Sequence, residues 1–335
     1  ASYSEVGIIG LTAELVSKSY LGGSKTVKGF KQNVGRFRPD HFRVSFDSIT
    51  PGCGAYTYMG QNFSLRAIIT AENAANETTQ NYTGSFAKLN LNDASNLGVK
   101  GIDTASATPL SSRLSIASFS GTWANGTATI DDTLALARGT SPDGVFSQFN
   151  VGMAPSDSDS VQATQLDLDS DNNGSADSVL LTTSEQRYGR VSMDNALASE
   201  LIPLAIPLRV EYWNDATKSF VTATDDTCTD SQFSLTPAAS PQWGNFILSG
   251  YQNNLSSGET VPIAFSGFSN GNALLTLSAP GTGNQGAVTV TATVPAWLQY
   301  DYNTSSAGDE NPSARATFGL FKERDPVIYW REYFR

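Results

Sequence analysis

Apolar and polar residues alternate along this chain with a period of two, and that pattern limits its fold more than any other feature. Phe42, Val44 and Phe46 fall on one side of an extended segment, with Arg43, Ser45 and Asp47 on the other. Phe63, Leu65, Ala67 and Ile69 repeat the pattern, and Val288, Val290, Ala292 and Val294 alternate with Thr289, Thr291 and Thr293. Ile9, Leu11, Ala13 and Leu15 suggest a first strand. Successive side chains of a strand point to opposite faces, so such runs predict half-buried antiparallel strands. Gly22-Gly23, Asn125-Gly126, Pro142-Asp143-Gly144, Asn173-Gly174 and Asn270-Gly271 supply turns between them. Helical periodicity is almost absent. The expected fold is all-β: two or three packed Ig-like β-sandwich domains with antiparallel sheets. A length of 335 residues is enough for that number.

The blocks expected along the chain are opening strands and a connection over 1–48, a β-sandwich over 49–155, an acidic loop or linker over 156–185, and a C-terminal β-sandwich over 186–335. Charged residues are only 16% of the chain, against a usual figure of about 25%. Hydroxylic and small residues take their place, as in β-rich extracellular proteins. The net charge of -11 argues against nucleic acid as a partner and against an anionic membrane surface. No run of about 18 apolar residues exists, so no membrane-spanning helix is expected. The start, Ala1-Ser2-Tyr3-Ser4, lacks the charged and apolar regions of a leader. The expectation is a leader already removed, or further sequence upstream.

The charge is uneven. From Asp131 to Glu185 the acidic residues greatly outnumber the single basic residue, Arg138, whereas Lys18, Lys25, Lys28, Lys31, Arg36, Arg38 and Arg43 make the first 43 residues basic. Two solvated faces of opposite sign account for this; so does an acidic calcium-binding region with a basic contact surface.

Within the acidic stretch lies the strongest chemical motif, Asp169-Ser170-Asp171-Asn172-Asn173-Gly174-Ser175-Ala176-Asp177. Calcium takes oxygen ligands from roughly every second position of a loop of about 12 residues, with a glycine at the sharp turn. Asp169, Asp171, Asn173, the Ser175 carbonyl and Asp177 fill such places, and Gly174 takes the turn. Leu180 stands where a bidentate Glu would close the shell, so Asp167 or a distant carboxylate would complete it. A structural Ca2+ of weak affinity is expected, on the order of 10⁻⁴–10⁻³ M. The alternative is an acidic turn without an ion.

Two cysteines, Cys53 and Cys228, allow one disulfide or two free thiols. The only histidine is His41, and no nucleophile-elbow or phosphate-loop motif accompanies it. A packed or capping role is expected for it, and no enzyme activity for the chain. Carboxylate pairs leave glycoside hydrolysis as a lesser alternative. Tyr56, Tyr58, Tyr82, Trp213, Trp243 and Trp297 offer a sugar platform, or else fill cores.

Longer motifs give a setting. Val34-Gly35-Arg36-Phe37-Arg38-Pro39-Asp40-His41-Phe42 resembles a motif in the C-terminal region of MshQ-like proteins of mannose-sensitive haemagglutinin (MSHA) type IV pilus systems of Gram-negative bacteria. Tyr3-Ser4-Glu5-Val6-Gly7 matches the same region, as do Cys53-Gly54 with Tyr56-Thr57-Tyr58-Met59-Gly60-Gln61, and Glu211-Tyr212-Trp213-Asn214 running to Thr227-Cys228. The ending matches too, from Pro312-Ser313-Ala314-Arg315 to Ile328-Tyr329-Trp330-Arg331-Glu332.

The resemblance implies a protein exported through the periplasm to the cell surface. It would act there as a pilus-associated adhesin or assembly protein, with minor pilins or other pilus components as partners. A carbohydrate-binding module recognising surface glycans is the alternative. The resemblance also places both cysteines in family motifs, which favours the disulfide. Relatives often carry a calcium-like stretch after Trp297-Leu298-Gln299-Tyr300-Asp301. Here that spacing is lost, although Asp301, Asn303 and Asp309 still offer oxygens.

Overall fold

The computed structural model describes residues 3–15, 21–23, 26–91, 93–235, 242–303 and 308–319. Lys18, Lys25 and the motif Ile328–Glu332 lie outside the described residues. The fold is all-β, and the chain divides into two compact units, Ala1–Tyr188 and Gly189–Arg335.

Unit 1 begins with a ribbon of β1 (Gly7–Glu14) and β2 (Lys28–Phe37), paired antiparallel. β3 (His41–Thr50), β4 (Thr57–Tyr58), β5 (Asn62–Glu72), β6 (Val99–Asp103) and β7 (Thr108–Pro109) follow. Then come β8 (Leu114–Ala124), β9 (Thr127–Leu136), β10 (Phe146–Met153) and β11 (Val179–Arg187). One sheet has the order β3-β5-β9-β8 and the other β4-β11-β10-β6-β7. The core follows the alternation: Phe63, Leu65, Ala67 and Ile69 on β5 are buried, as are Ala128, Ile130, Leu134 and Leu136 on β9. Each large apolar side chain buried this way contributes about 1.5–3 kcal/mol.

The β8–β9 hairpin turns at Asn125-Gly126, both at positive φ (50° and 77°), as a two-residue hairpin turn of the primed type demands. Gly126 also has no room for a side chain, because a Cβ there would lie 2.3 Å from the Thr79 carbonyl oxygen.

The expected blocks 1–48, 49–155 and 156–185 do not stand apart. β3 pairs with β5 across the first boundary, and β11 pairs with β10 across the second. The polar segment 156–185 is therefore a long excursion that returns to the sheet as β11, not a linker. The expected alternation also fails in β1 and just after it, where Leu11, Ala13 and Leu15 are all exposed, and in β3. Phe42 and Val44 are buried, but Phe46 is 41% exposed although it keeps their register and stands opposite the buried Ala67; the register shift comes only after it, between Phe46 and Ser48.

Unit 2 holds β12 (Gly189–Met193), β13 (Ala196–Ala198), β14 (Leu204–Asn214), β15 (Ser219–Thr222) and β16 (Gln242–Trp243). It continues with β17 (Phe246–Asn253), β18 (Pro262–Phe265), β19 (Asn272–Leu277), β20 (Gly286–Ala292) and β21 (Ser313–Phe318). β12-β14-β19-β18, with β15 on β14, make one sheet; β13-β21-β20-β17-β16 make the other. Val191, Ile206, Leu208, Val210, Leu275 and Leu277 of the first are buried, as are Phe246, Leu248, Val290, Ala316 and Phe318 of the second. No helix among the described residues is long and apolar enough to cross a membrane.

Candidate functional site

The acidic loop is closed at its base by the bridge Leu168↔Ser178, immediately before β11 begins at Val179. Its oxygens are spent largely on its own backbone. Asp169 accepts hydrogen bonds from the amides of Asn173 (3.1 Å) and Gly174 (2.7 Å). Asp171 accepts from the Asn173 amide (3.3 Å) and side chain (2.9 Å), and Asn173 accepts from the Ser175 amide (2.9 Å). Gly174 takes the turn at φ 91°.

Asp177 points elsewhere. It accepts from the Ser170 amide (3.1 Å) and hydroxyl (2.7 Å), and lies 3.4 Å from Lys100 Nζ. Asp167 accepts from the Leu180 amide at 2.6 Å. Desolvation opposes ionisation of Asp169 and Asp177, yet both end below the ordinary carboxylate value: backbone amides hold Asp169 there, and the Ser170 and Ser178 bonds and Lys100 hold Asp177. Among the described residues, no three carboxylates of this loop bring one oxygen each within 4.8 Å of one another. A cation seated here would have to draw Asp177 away from Ser170 and Lys100.

Both cysteines, Cys53 and Cys228, are disulfide-bonded. Cys53 is buried at 1% exposure, where its backbone bridges Tyr56. A disulfide fits an oxidising, extracellular setting. His41 is buried between Asp40 (3.1 Å) and Glu72 (3.2 Å), and Arg43 reaches the same Glu72 at 2.6 Å. It packs inside an ion-pair cluster at the start of β3.

The aromatic candidates separate into two sets. Tyr56 and Tyr58 are buried at 1% and 0% exposure, joined by a 2.9 Å bond between their hydroxyls, with the Arg187 guanidinium 3.7 Å from the Tyr56 ring centre. Tyr82 and Trp243 are buried as well. These four are packed into cores, where their ring faces cannot meet a sugar.

Trp213 is half-buried and belongs to a row that its own sequence neighbourhood does not reveal. It stands opposite Phe220 in the β14–β15 hairpin, their rings 5.3 Å apart. Phe220 meets Tyr300 at 5.0 Å, and Tyr300 meets Tyr302 at 5.4 Å. Arg190 lies 3.7 Å from the Phe220 ring centre and is held by Glu211 at 2.8 Å. Trp297 is half-buried in the short turn Ala296–Leu298 and stays outside this row. Nearby, Asn303 donates to Glu310 at 2.7 Å, and one oxygen of Asp301 is buried without a hydrogen-bond partner.

A further group escaped the sequence reading. Asp132 sits on the core side of β9 between Ile130 and Leu134, 3% exposed, and neither carboxylate oxygen has a hydrogen-bond partner. Burial, and then the neighbouring charge of Asp131, push its pKa up to about 6.

Two disulfide-linked cysteines in an all-β chain of two units define a class of β-sandwich proteins suited to oxidising surroundings. Residues 5–182 match the third domain of DUF6701 and residues 187–333 match its fourth domain, so the chain belongs to the DUF6701 family. The break between these two matches, at 183–186, lies a few residues before the division between the structural units at Tyr188/Gly189. No curated protein matches the chain. Among solved structures, domains 5-6 of the S-layer protein SbsC are 11% identical over 83% of this chain and 99% of that one, with a TM-score of 0.18, at which the likeness carries no argument.

Proposed function

We propose that this chain is a secreted, non-catalytic binding module, working at the bacterial surface as an adhesin or assembly protein of a type IV pilus system. The observation that carries the reading is the disulfide. Its two cysteines stand in two of the motifs that resemble MshQ-like proteins, Cys53-Gly54 with its tyrosines and Thr227-Cys228. An oxidised pair is expected of a chain exported through the periplasm. Minor pilins or other pilus components are the proposed partners. In a clean deletion strain, surface attachment should fall, and the tagged protein should co-purify with sheared pili from the complemented strain. Full attachment and piliation without the gene would remove this reading.

A second reading rests on the row Trp213, Phe220, Tyr300 and Tyr302 with Arg190. Rings with a guanidinium at their centre suit the apolar faces and hydroxyls of a sugar. The chain would then be a carbohydrate-binding module for surface glycans. Binding on a glycan array that is lost in Trp213→Ala and Tyr300→Ala supports it; an array without hits, in calcium, counts against it. A structural Ca2+ held by Asp167, Asp169, Asp171, Asn173, the Ser175 carbonyl and Asp177 belongs to the same proposal.

A further inference from the structure

The β1–β2 ribbon is anchored to unit 1 at its base. Glu5 accepts from the amides of Gln80 (3.2 Å) and Asn81 (3.1 Å), and the Ser4 carbonyl accepts from the Asn73 side chain (3.1 Å). Val6 is buried, Arg36 pairs with Asp159, and Arg38 donates to the Asp159 carbonyl. Beyond this base no described residue of the ribbon is buried. All residues of 10–15 and 26–33 are exposed. Leu11 is 51% exposed, Val27 44% and Phe30 62%. A lone two-stranded ribbon is marginal in water. Leu11 stands opposite Lys31 and Phe30 opposite Thr12, so each face of the ribbon exposes a large apolar side chain, and such side chains mark a contact surface.

Charge indicates what it contacts. Lys31 shares the face of Leu11 and Lys28 that of Phe30, so each face pairs a lysine with an apolar side chain; the strands' one acidic residue, Glu14, stands opposite Lys28. The complementary surface lies on the same unit. Asp167 and Asp171 are exposed, and beside them Leu166 (41%) and Leu180 (39%) are exposed leucines. One surface is basic and apolar, the other acidic and apolar. Both are open in a single copy, so neither covers the other within one chain.

We propose that the β1–β2 arm of one copy docks on the Leu166–Asp171 and Leu180 surface of a second copy. The two surfaces differ, so the contact is heterologous. It leaves an arm free at one end and an acidic surface free at the other, and further copies add head to tail. This self-association is independent of the pilus and glycan partners proposed above; calcium bound at Asp167 and Asp171 would compete with it, so it is tested in chelator.

Sedimentation velocity on the full chain tests it over a range of concentrations, at about 0.01 M and about 1 M salt, where the screening length falls from about 30 Å to about 3 Å. The expected result is mass that rises with concentration at low salt and shifts toward monomer at high salt. The pair Lys28→Glu and Lys31→Glu should weaken association at least about tenfold, which corresponds to about 1.4 kcal/mol. The pair Leu11→Ser and Phe30→Ser should weaken it at both salt concentrations. Asp167→Lys with Asp171→Lys should also yield monomers, and mixing this protein with the Lys28→Glu, Lys31→Glu protein should restore complexes. That restoration separates a lost contact from a lost fold. A monomer at every concentration in low salt overturns the proposal. So do oligomers indifferent to the arm substitutions, or a charge-exchanged mixture that stays monomeric.

Discussion

Replacing Asp132 should stabilise unit 1 at neutral pH. The side chain is 3% exposed, lies between Ile130 and Leu134 on the core side of β9, and has no hydrogen-bond partner on either oxygen. An ionised carboxylate in that place lacks both water and a counter-charge. Its pKa rises from the ordinary 3.8 to about 6, through burial first and the charge of Asp131 second. At 1.36 kcal/mol per pH unit, that corresponds to about 3 kcal/mol. The sign follows from proton binding. Between about 4 and 6 the folded chain holds a proton at Asp132 that the unfolded chain releases, so stability grows as the pH falls through that window. Above it the folded state carries the full cost of the buried charge.

Asp132→Asn removes the charge while keeping the shape, and should gain about 1–3 kcal/mol at neutral pH. Asp132→Leu removes the unmet polar atoms as well. Hydrogen exchange of the β5 and β9 amides, corrected for intrinsic rates, reads the stability of this sheet at each pH. The difference between the wild-type chain and Asp132→Asn should shrink toward zero as the pH approaches 4. Asp131→Asn should narrow the window by lowering the Asp132 pKa. Equal protection in both proteins at neutral pH, or a difference that does not change on acidification, would refute the reasoning.

Three other outcomes follow from the same structure. Reducing the disulfide, or replacing both Cys53 and Cys228 with Ser, frees a loop of about 175 residues in the unfolded chain and should cost up to about 5 kcal/mol; a Tm unmoved by reductant in a thermal scan would contradict this. Calcium at about 1–10 mM should raise the Tm of the wild-type chain and leave the Asp169→Ala, Asp171→Ala protein unchanged; identical scans with calcium and with chelator remove the proposed ion. Asp194 receives bonds from both terminal nitrogens of Arg209 (2.5 and 2.7 Å), which hold its carboxyl below the ordinary value against desolvation. Its stabilising effect is present above the ordinary carboxylate pKa and lost as the pH falls through the lowered one, so Arg209→Met should make protection of the β12 and β14 amides less acid-sensitive.

The strands were legible because their signal is local. A face of Phe63, Leu65, Ala67 and Ile69 can be read from seven consecutive residues, and the structure buries all four. Asn125-Gly126 announced its hairpin for a similar reason, since the turn needs two adjacent residues at positive φ. Phe46 was misleading because alternation gives the face a side chain takes and not what covers that face, and Phe46 stays exposed on the face of Val44. Tyr56 and Tyr58 were misleading for a related reason. A motif next to a turn looks displayed, and only tertiary packing, with Tyr58 paired to Arg187 of β11 and the Arg187 guanidinium over the Tyr56 ring, buries both rings.

The candidate sites were less legible, because each depends on what tertiary structure brings together or leaves unmet. Trp213, Phe220, Tyr300 and Arg190 come from four separated places, and only the β14–β15 hairpin pairing of Trp213 with Phe220 could have been anticipated from sequence. Asp132 is the reverse case. Its position is stated by the alternation itself, since Ala128, Ile130, Leu134 and Leu136 mark the buried face and Asp132 falls in step with them. A charged residue in phase with a core pattern is a local conflict that costs stability and persists only under a compensating constraint. The β1 ribbon carries the opposite conflict, with Leu11 in phase with a core that does not exist within one copy. An apolar residue without a core and a carboxylate without a partner are both unmet requirements of this chain. The first is met, on the proposal above, by a second copy; the second is met by a proton only below about pH 6, and at neutral pH it stays unmet.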